Sequence, residues 1–366
     1  MPEIPFARDP VDVTPEWLTA VLRQLGHEVT VASIEANSVG TGQVAHCERF
    51  EVSYADWDGR APASFVGKFR SLDELSRRTG SSGTYQREVN FYRHIRPTVG
   101  IRTPHAHWLD LDEATGDFIV LMEDMAPAEQ GDQMRGATTE EATAALDQVA
   151  RLHAPRWGDN TLERFDFLVR PGDEVTRVRR YERLWAGFLE RYGDQLSDEM
   201  LTVGHGFAPL YATYSRPYPG TRCITHGDYR LDNMLIGSGA GSGGDSNDAK
   251  QVAVVDWQTV GIGAAAQDVS YFLGAGLLPE ARRTHERTLV ERYHATLEAG
   301  GVLDYSLDQL WDDYRWYSYA GFVMAVTASM VVIRTDRGDE MFMTMASRHA
   351  RQAIDLEAQP LLEAAR

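Results

Sequence analysis

Hydrophobic and polar residues follow two different spacings along this chain, and the spacing changes near residue 126. Before that point, β-rich runs at 29–34, 44–54 and 64–69 are separated by glycine-containing turns, and apolar residues alternate with polar ones over 44–54. Such alternation is typical of strands in an antiparallel sheet. After that point, apolar residues recur every three or four positions over long stretches, a spacing that predicts helices.

Three further segments refine the first half. Residues 14–26 begin with a capping threonine, a proline and a glutamate, which is a typical helix start. Residues 84–95 have apolar positions at helical spacing, and residues 118–122 form an apolar run of the length of a buried strand.

Together these patterns predict an α+β protein with a two-lobed architecture. The N-terminal lobe, residues 1–125, is expected to contain a leading helix, a small antiparallel sheet and one further helix. The C-terminal lobe, residues 126–366, is expected to be larger and mainly helical. A Gly/Ser/Asp-rich run over 237–250 separates two apolar pieces and predicts a surface loop.

Composition excludes several classes of function. The 366 residues include 54 acidic and 36 basic side chains, a net charge of −18 that disfavours binding to nucleic acid or to anionic membranes. The longest apolar stretch, residues 320–333, is too short to span a bilayer, which takes about 20 residues. Two distant cysteines provide no disulfide framework. We therefore expect a cytoplasmic protein without nucleic-acid or membrane partners; the sequence does not predict its oligomeric state.

The segment that points to chemistry is Cys223–Ile236, which contains His226, Asp228 and Asn233 in the order H-x-D-x-x-x-x-N. In phosphoryl transfer, the aspartate of this arrangement orients a substrate hydroxyl and accepts its proton, while the asparagine binds Mg²⁺. Alone, either residue is more often part of a local turn. Asp228 is the predicted catalytic base.

A magnesium site requires a second oxygen ligand. Asp256 ends the next apolar strand, in the chain order that the motif requires. Magnesium is usually held by one or two protein oxygens together with the phosphates of a nucleotide. Asn233 and Asp256 are therefore the predicted metal ligands, and ATP and Mg²⁺ are the predicted cofactors.

With these motifs, the chain resembles the aminoglycoside phosphotransferase and choline kinase superfamily, whose members have a protein-kinase-like fold and an H-G-D catalytic motif. The later run from Asp256 to Leu273 resembles most the ecdysteroid-kinase-like branch and the kinase-like domains fused to some acyl-CoA dehydrogenases. This resemblance implies the two-lobed kinase fold, with a five-stranded sheet and the nucleotide side in residues 1–125. It places the catalytic and metal-binding loops and the acceptor site in residues 126–366. It also implies transfer of a γ-phosphate from ATP to the hydroxyl of a small molecule.

The resemblance also gives structural roles to residues around the motif. It implies that Asp268 supports the catalytic loop without reacting. His153 stands at the predicted end of a helix, where an imidazole can bond the last carbonyl groups.

The upstream elements of a kinase have candidates in this chain. Lys68, on the third predicted strand, corresponds to the lysine that holds the α- and β-phosphates, and Glu88 to its helix partner. Taken alone, each is more often a surface charge; their order ahead of the catalytic motif favours function.

The glycine loop is a partial match. Gly40, Thr41 and Gly42 are predicted to cover the phosphates with backbone N–H groups. Ala45 stands where the third glycine of the motif belongs, and Cys47 where valine is usual. A two-glycine turn is otherwise most often only a turn.

By resemblance, the adenine is expected along the strand that ends near residue 125. The carbonyl of Glu123 and the amide of Met125 are predicted to bond the base, and Met122 is predicted to border it. Alternatively, the strand simply leaves the core at this point. The sequence does not separate ATP from GTP, although the resemblance favours ATP.

The phosphate acceptor is the least defined part. The aromatic run over residues 311–322 fits a core-packed helix, a cage for a quaternary ammonium group or a stacking surface for a flat apolar substrate, and helical spacing favours packing. The branch resemblance favours a hydroxylated hydrophobic compound over an aminoglycoside or choline. The alternative function is a catalytically silent nucleotide-binding protein with the kinase fold.

Overall fold

A computed structural model of the chain describes residues 4–40, 44–74, 77, 83–169, 173–237 and 250–366. The described residues form two compact units. The first unit comprises the residues up to Pro97, Thr103–Pro127 and Asp256–Gln258. The second comprises Thr98–Arg102, Ala128–Val255 and Thr259–Arg366.

The first unit is built on one antiparallel sheet with the strand order β1-β2-β3-β5-β4. Its elements are α1 (Pro15–Gln24), β1 (Thr30–Ser38), β2 (Ala45–Asp56), β3 (Ser64–Arg70), α2 (Thr84–Asn90), β4 (Ala106–Leu111) and β5 (Phe118–Glu123). One sheet face supplies Phe65, Phe69, Ile119 and Leu121 to a core that also contains the buried side of α1. Burial of this apolar surface is the main stabilising contribution in the unit.

The helices of this unit begin where the sequence predicts. The hydroxyl oxygen of Thr14 accepts a hydrogen bond from the backbone N–H of Trp17 and caps α1. This helix ends at Gln24, before Gly26 at φ 89°. The predicted helix over 84–95 is α-helical to Asn90 and then continues as a π-helical segment, Phe91–Ile95.

The second unit is mainly helical and carries two small sheets, of order β6-β8-β9 and β7-β10. Its elements are β6 (Glu129–Gln130), α3 (Thr139–His153), α4 (Glu174–Tyr192), α5 (Asp198–Phe207), α6 (Tyr211–Tyr214), β7 (Cys223–Thr225), β8 (Met234–Gly237), β9 (Gln251–Val254), β10 (Gly261–Gly263), α7 (Ala265–Gly276), α8 (Pro279–Ala299), α9 (Leu307–Trp316), α10 (Ala320–Ala328), α11 (Asp336–Asp355) and α12 (Ala358–Ala364). Most of the predicted surface loop over 237–250 lies outside the described residues.

The predicted fold class is confirmed, with an antiparallel sheet in one unit and a larger, mainly helical second unit. In the part of the chain that the structure describes, no helix combines the length and the apolar character that crossing a bilayer would need.

Candidate active site

Lys68 lies within β3, and its ammonium group contacts two carboxylates. The Lys68 Nζ atom donates a hydrogen bond to Oε1 of Glu88 at 2.9 Å, and it lies 2.9 Å from Oδ1 of Asp256. Glu88 is contributed by α2, and Asp256 follows β9. Lys68 is 8% exposed and Glu88 only 1%, so the charges of this pair compensate each other away from water.

These neighbours keep Lys68 positively charged. Burial by itself would lower the pKa of its ammonium group, but the carboxylates of Asp256 and Glu88 outweigh burial, and the pKa of Lys68 lies above its usual value. Burial raises the pKa of Glu88, against the lowering effect of Lys68. The group can therefore present a fixed cation to an anionic oxygen.

Asp256 has an unusual backbone conformation. Its φ of 65° lies in the left-handed region, where aspartate is one of the few side chains that are enriched. The next residue, Trp257, is fully buried, and its ring stacks on Phe91 with ring centroids 3.6 Å apart and planes 5° apart. Because Phe91 directly follows α2, this contact ties the segment of Asp256 to the helix that carries Glu88.

The predicted glycine loop is only partly described. Gly40 follows β1 with φ 80°, a conformation that favours glycine. Thr41 and Gly42 lie outside the described residues. The role of this loop in covering phosphates stays a prediction.

The predicted adenine-contacting residues lie at the end of β5. Met122 pairs with Val66 in the sheet register, and Lys68 pairs with Val120, so Met122 and Lys68 share one face of the sheet. The backbone N–H of Glu123 donates to the carbonyl oxygen of His105 at 2.8 Å. Contacts of the Glu123 carbonyl and the Met125 amide with a base stay predictions.

Asp228 follows β7, and its carboxylate accepts three side-chain hydrogen bonds. Oδ1 accepts from the Tyr271 hydroxyl at 2.6 Å. Oδ2 accepts from Nδ2 of Asn233 at 2.9 Å and from Nε of Arg230 at 3.2 Å. The Asp228 side chain is 16% exposed, so it is held firmly while remaining accessible.

These donors also favour the ionised form of Asp228. Burial by itself raises the pKa of a carboxyl group, but the nearby Arg230 guanidinium and the Tyr271 hydroxyl outweigh burial, so the pKa of Asp228 lies below its usual value. Burial and the charge of Asp228 hold the pKa of Tyr271 well above its ordinary value. Tyr271 therefore stays protonated and donates.

Asn233 is oriented by the same loop. Its side-chain amide nitrogen donates to the backbone carbonyl oxygen of Asp228 and to the Asp228 carboxylate, both at 2.9 Å. Because the amide nitrogen makes both of these hydrogen bonds to Asp228, the orientation of the amide is fixed, and the amide oxygen faces away from Asp228. Its backbone carbonyl accepts from the N–H of Val255 at 2.9 Å, which anchors the loop to the end of β9.

The imidazole of His226 supports the loop through two hydrogen bonds to the backbone. Its Nε2 lies 3.0 Å from the carbonyl oxygen of Val255, which can only accept, so Nε2 carries the proton. Its bare Nδ1 is then able to accept from the backbone N–H of Asp228, at 3.3 Å. The imidazole is fully buried, which suits a structural role.

Asp268 accepts two backbone hydrogen bonds from the loop that carries Asp228. Its Oδ2 accepts from the N–H of His226 at 2.6 Å, and its Oδ1 accepts from the N–H of Gly227 at 2.9 Å. Asp268 is fully buried at the start of α7. Through these contacts, Asp268 holds the backbone of the loop in place at His226 and Gly227.

The predicted role of His153 is wrong. His153 does end α3, but its Nε2 lies 3.2 Å from Oδ2 of Asp268 and its Nδ1 lies 2.6 Å from the Tyr293 hydroxyl. Packing of α3 against α8 brings Tyr293 to the imidazole, so the buried ring binds these side chains. Through Asp268, His153 supports the loop that carries Asp228.

We predict that Asp268→Asn lowers the free energy of unfolding by about 1–3 kcal/mol, because the new NH₂ group leaves one buried N–H donor without an acceptor. Urea denaturation followed by circular dichroism would measure this loss. The matched control is Glu340→Gln, which changes an exposed carboxylate on α11 to an amide. Equal stability of Asp268→Asn and the control would contradict the proposed support.

Sequence reasoning missed two of the donors that hold Asp228, and the aromatic contact next to Asp256. Tyr271 lies one helical turn after Asp268 on α7, and this i, i+3 spacing was the only sequence signal for its position. Arg230 lies two residues after Asp228, inside the motif itself. The stacking of Trp257 on Phe91 had no sequence signal.

The chain belongs to the phosphotransferase enzyme family, whose family model matches residues 50–317. No curated protein sequence matches the chain significantly. The family match is not specific for a branch, and the resemblance to ecdysteroid-kinase-like proteins stays a hypothesis.

Similar solved structures share the fold. The choline kinase from Cryptosporidium parvum Iowa II is 9% identical with a TM-score of 0.54, and the match covers 91% of each chain. The Plasmodium vivax ethanolamine kinase is 11% identical with a TM-score of 0.53, covering 91% of this chain and 86% of that one. The GDP complex of wild-type aminoglycoside 2'-phosphotransferase-IIIa is 11% identical with a TM-score of 0.53, covering 92% and 99%. At these identities, the likeness concerns the fold alone.

Proposed function

We propose that this protein is a small-molecule kinase that uses Mg²⁺ and ATP and transfers the γ-phosphoryl group to a hydroxyl of an organic acceptor. The observation that carries the proposal is the Asp228 carboxylate, which is ionised, partly accessible and fixed by three donors. Membership of the phosphotransferase family supports the same reaction class.

Asp228 is suited to orient the acceptor and to take its proton. A base of low pKa is a weak proton acceptor toward a free alcohol, so its main contribution is to align the hydroxyl oxygen with phosphorus. Proton transfer then becomes favourable as the oxygen–phosphorus bond forms. Asn233 and Arg230 hold the carboxylate for this task.

Lys68 is proposed to hold the phosphates of the nucleotide. Its buried ammonium group is kept charged by Glu88 and Asp256, and it lies on the same sheet face as Met122. The GDP complex of a structurally similar aminoglycoside phosphotransferase supports a nucleotide as the phosphoryl donor. The choice of ATP over GTP rests on the sequence resemblance.

The proposed metal ligands have suitable chemistry. Magnesium prefers oxygen ligands, and an amide oxygen and a carboxylate are available from Asn233 and Asp256. The Asn233 nitrogen is engaged by Asp228, which leaves the amide oxygen as the ligating atom. The Asp256 side chain is 35% exposed, with Oδ1 bound to Lys68. When bound, Mg²⁺ neutralises charge on the phosphates.

For the acceptor, we propose an uncharged, hydroxylated hydrophobic compound. The proposal rests on the resemblance of the run from Asp256 to Leu273 to the ecdysteroid-kinase-like branch, because Arg230, the cation beside Asp228, is neutralised by Asp228 and Asp232. The aromatic run does not offer an open cage in its middle, because Tyr314, Tyr319 and Phe322 are buried. The ring of Trp311 is already covered by the Arg287 guanidinium, at 4.6 Å from the ring centroid.

The test is ADP release from Mg·ATP by the purified protein, with a panel of an aminoglycoside, choline, ethanolamine and a hydroxysteroid. We expect acceptor-dependent ADP release that EDTA abolishes and that excess Mg²⁺ restores. Turnover of the hydroxysteroid alone would support the proposed acceptor class. Turnover of choline or the aminoglycoside would contradict it while leaving the kinase reaction intact.

Binding of Mg·ATP without any turnover, with acceptors or with water, would contradict the enzymatic proposal. It would favour the alternative, a nucleotide-binding protein with the kinase fold and no catalytic activity. Isothermal titration calorimetry with a non-hydrolysable ATP analogue distinguishes this outcome from simple failure to bind.

A further inference from the structure

We propose that Tyr271 is a positioning residue that sets which oxygen of Asp228 receives the acceptor hydroxyl. The inference rests on the proposed phosphotransferase function and adds to it a residue from α7, outside the catalytic motif. It is based on the distribution of hydrogen bonds over the two carboxylate oxygens and on the packing that fixes the tyrosine ring.

The two oxygens of Asp228 are not equivalent. Each carboxylate oxygen has about two lone pairs for hydrogen bonds. On Oδ2, both are used by Asn233 and Arg230. On Oδ1, among the described residues, the Tyr271 hydroxyl is the one side-chain donor, at 2.6 Å. The remaining lone pair of Oδ1 is therefore the position for an incoming hydroxyl, directly beside the phenol of Tyr271.

The Tyr271 ring is held in place by a second aromatic side chain. It stacks on the imidazole of His349, with ring centroids 5.7 Å apart and planes 18° apart. His349 is fully buried on α11 and donates from Nδ1 to the carbonyl oxygen of Ser318 at 2.9 Å. Tyr271 itself is 3% exposed. The phenol therefore has little freedom to leave Oδ1.

Two glycines make room for this arrangement. A side chain at Gly274 or at Gly321 would overlap the imidazole of His349. These glycines lie on α7 and α10, so two helices approach the same ring closely. This close packing fixes the imidazole on which the Tyr271 ring stacks, which supports a positioning role for Tyr271.

In the transfer step, the acceptor oxygen forms a bond to the γ-phosphorus of ATP while the bond from that phosphorus to the β–γ bridging oxygen breaks. ADP leaves with that electron pair. The acceptor proton passes to Oδ1 of Asp228 and then to solvent. Tyr271 keeps its own proton throughout and holds Oδ1 in the orientation that this transfer requires.

The test compares Tyr271→Phe with Tyr314→Phe. Tyr314 is a buried tyrosine of the same unit, and its hydroxyl also donates to a carboxylate, that of Glu286, at 2.8 Å. The assays are phosphate release from Mg·ATP with water as acceptor, and ADP release with each of the four panel compounds. Nucleotide affinity is measured with a non-hydrolysable ATP analogue, and folding by thermal melting.

We expect Tyr271→Phe to lower kcat by about 10- to 100-fold, the effect of a small misplacement of a reacting group, with unchanged affinity for the nucleotide analogue. Tyr314→Phe should keep the kcat of the original protein, even if its melting temperature falls as much as that of Tyr271→Phe. Equal kcat in Tyr271→Phe and the original protein, or an equal fall in both variants, would overturn the inference.

Failure of the inference can be told from failure of the proposed function. If Asp228→Asn abolishes turnover and Tyr271→Phe does not lower it, only the role of Tyr271 is wrong. If the original protein shows no turnover with water or any panel compound, the kinase proposal fails, and the role of Tyr271 is overturned with it.

Discussion

Replacing Asp228 by asparagine is expected to lower kcat by about 10²- to 10⁴-fold, the contribution of a positioned acid–base group. Asparagine keeps the size of the side chain but cannot take up the acceptor proton. It also turns one carboxylate oxygen into an NH₂ donor, which would face either Tyr271 at the Oδ1 position or Arg230 and Asn233 at the Oδ2 position. ADP release under saturating Mg·ATP measures the change.

The control for this variant is Asp308→Asn, which makes the same chemical change at an exposed position near the start of α9. Nucleotide affinity of Asp228→Asn should stay that of the original protein, since Asp228 acts on the acceptor. Retention of kcat in Asp228→Asn would show that another group takes the proton, and the proposed mechanism would then be wrong.

Lys68→Met is expected to lower kcat/KM for ATP by about 10²- to 10³-fold, similar to the loss of one preorganised charge-stabilising donor. The variant removes the cation that is proposed to bind the phosphates. It also leaves the Glu88 carboxylate, 1% exposed, without its partner. We expect Glu88 to become protonated, because burial already raises its pKa.

The composition of the chain offers a sharp control for Lys68. The chain contains two lysines, Lys68 and Lys250, and all its other basic side chains are arginine or histidine. Lys250→Met alters an exposed residue and should leave kcat/KM unchanged. An amine-reactive ATP analogue should label Lys68 far faster than Lys250 by mass spectrometry, and excess ATP should protect Lys68.

Two results would argue against the nucleotide role of Lys68. One is labelling of Lys250 alone by the amine-reactive ATP analogue. The other is normal kcat/KM in Lys68→Met at a melting temperature equal to that of the original protein. A melting temperature far below that value would instead assign the loss of activity to unfolding, and the labelling experiment then decides.

The sequence predicted features that depend on residues close together in the chain better than it predicted contacts between distant residues. The start of α1 and the run of β2 follow from residues adjacent in the chain, so capping and alternation predicted them. Asp228 and Asn233 lie five residues apart in one loop, and their hydrogen bond is a short-range contact. The role of His153 was predicted from its position at the end of a helix. That prediction was wrong because the imidazole bonds the hydroxyl of Tyr293, which lies 140 residues further along the chain.

By itself, the sequence determined the fold class and the chemical character of the loop that carries Asp228 and Asn233, because strand alternation, helical spacing and motif spacing are all properties of neighbouring residues. Only the tertiary structure decided that Tyr271 bonds Oδ1 of Asp228 and that Asp256 joins Lys68 and Glu88. These contacts join residues 43 and 188 positions apart. Such pairs form only when packed helices and strands fix the side chains in space, and this packing depends on the whole core.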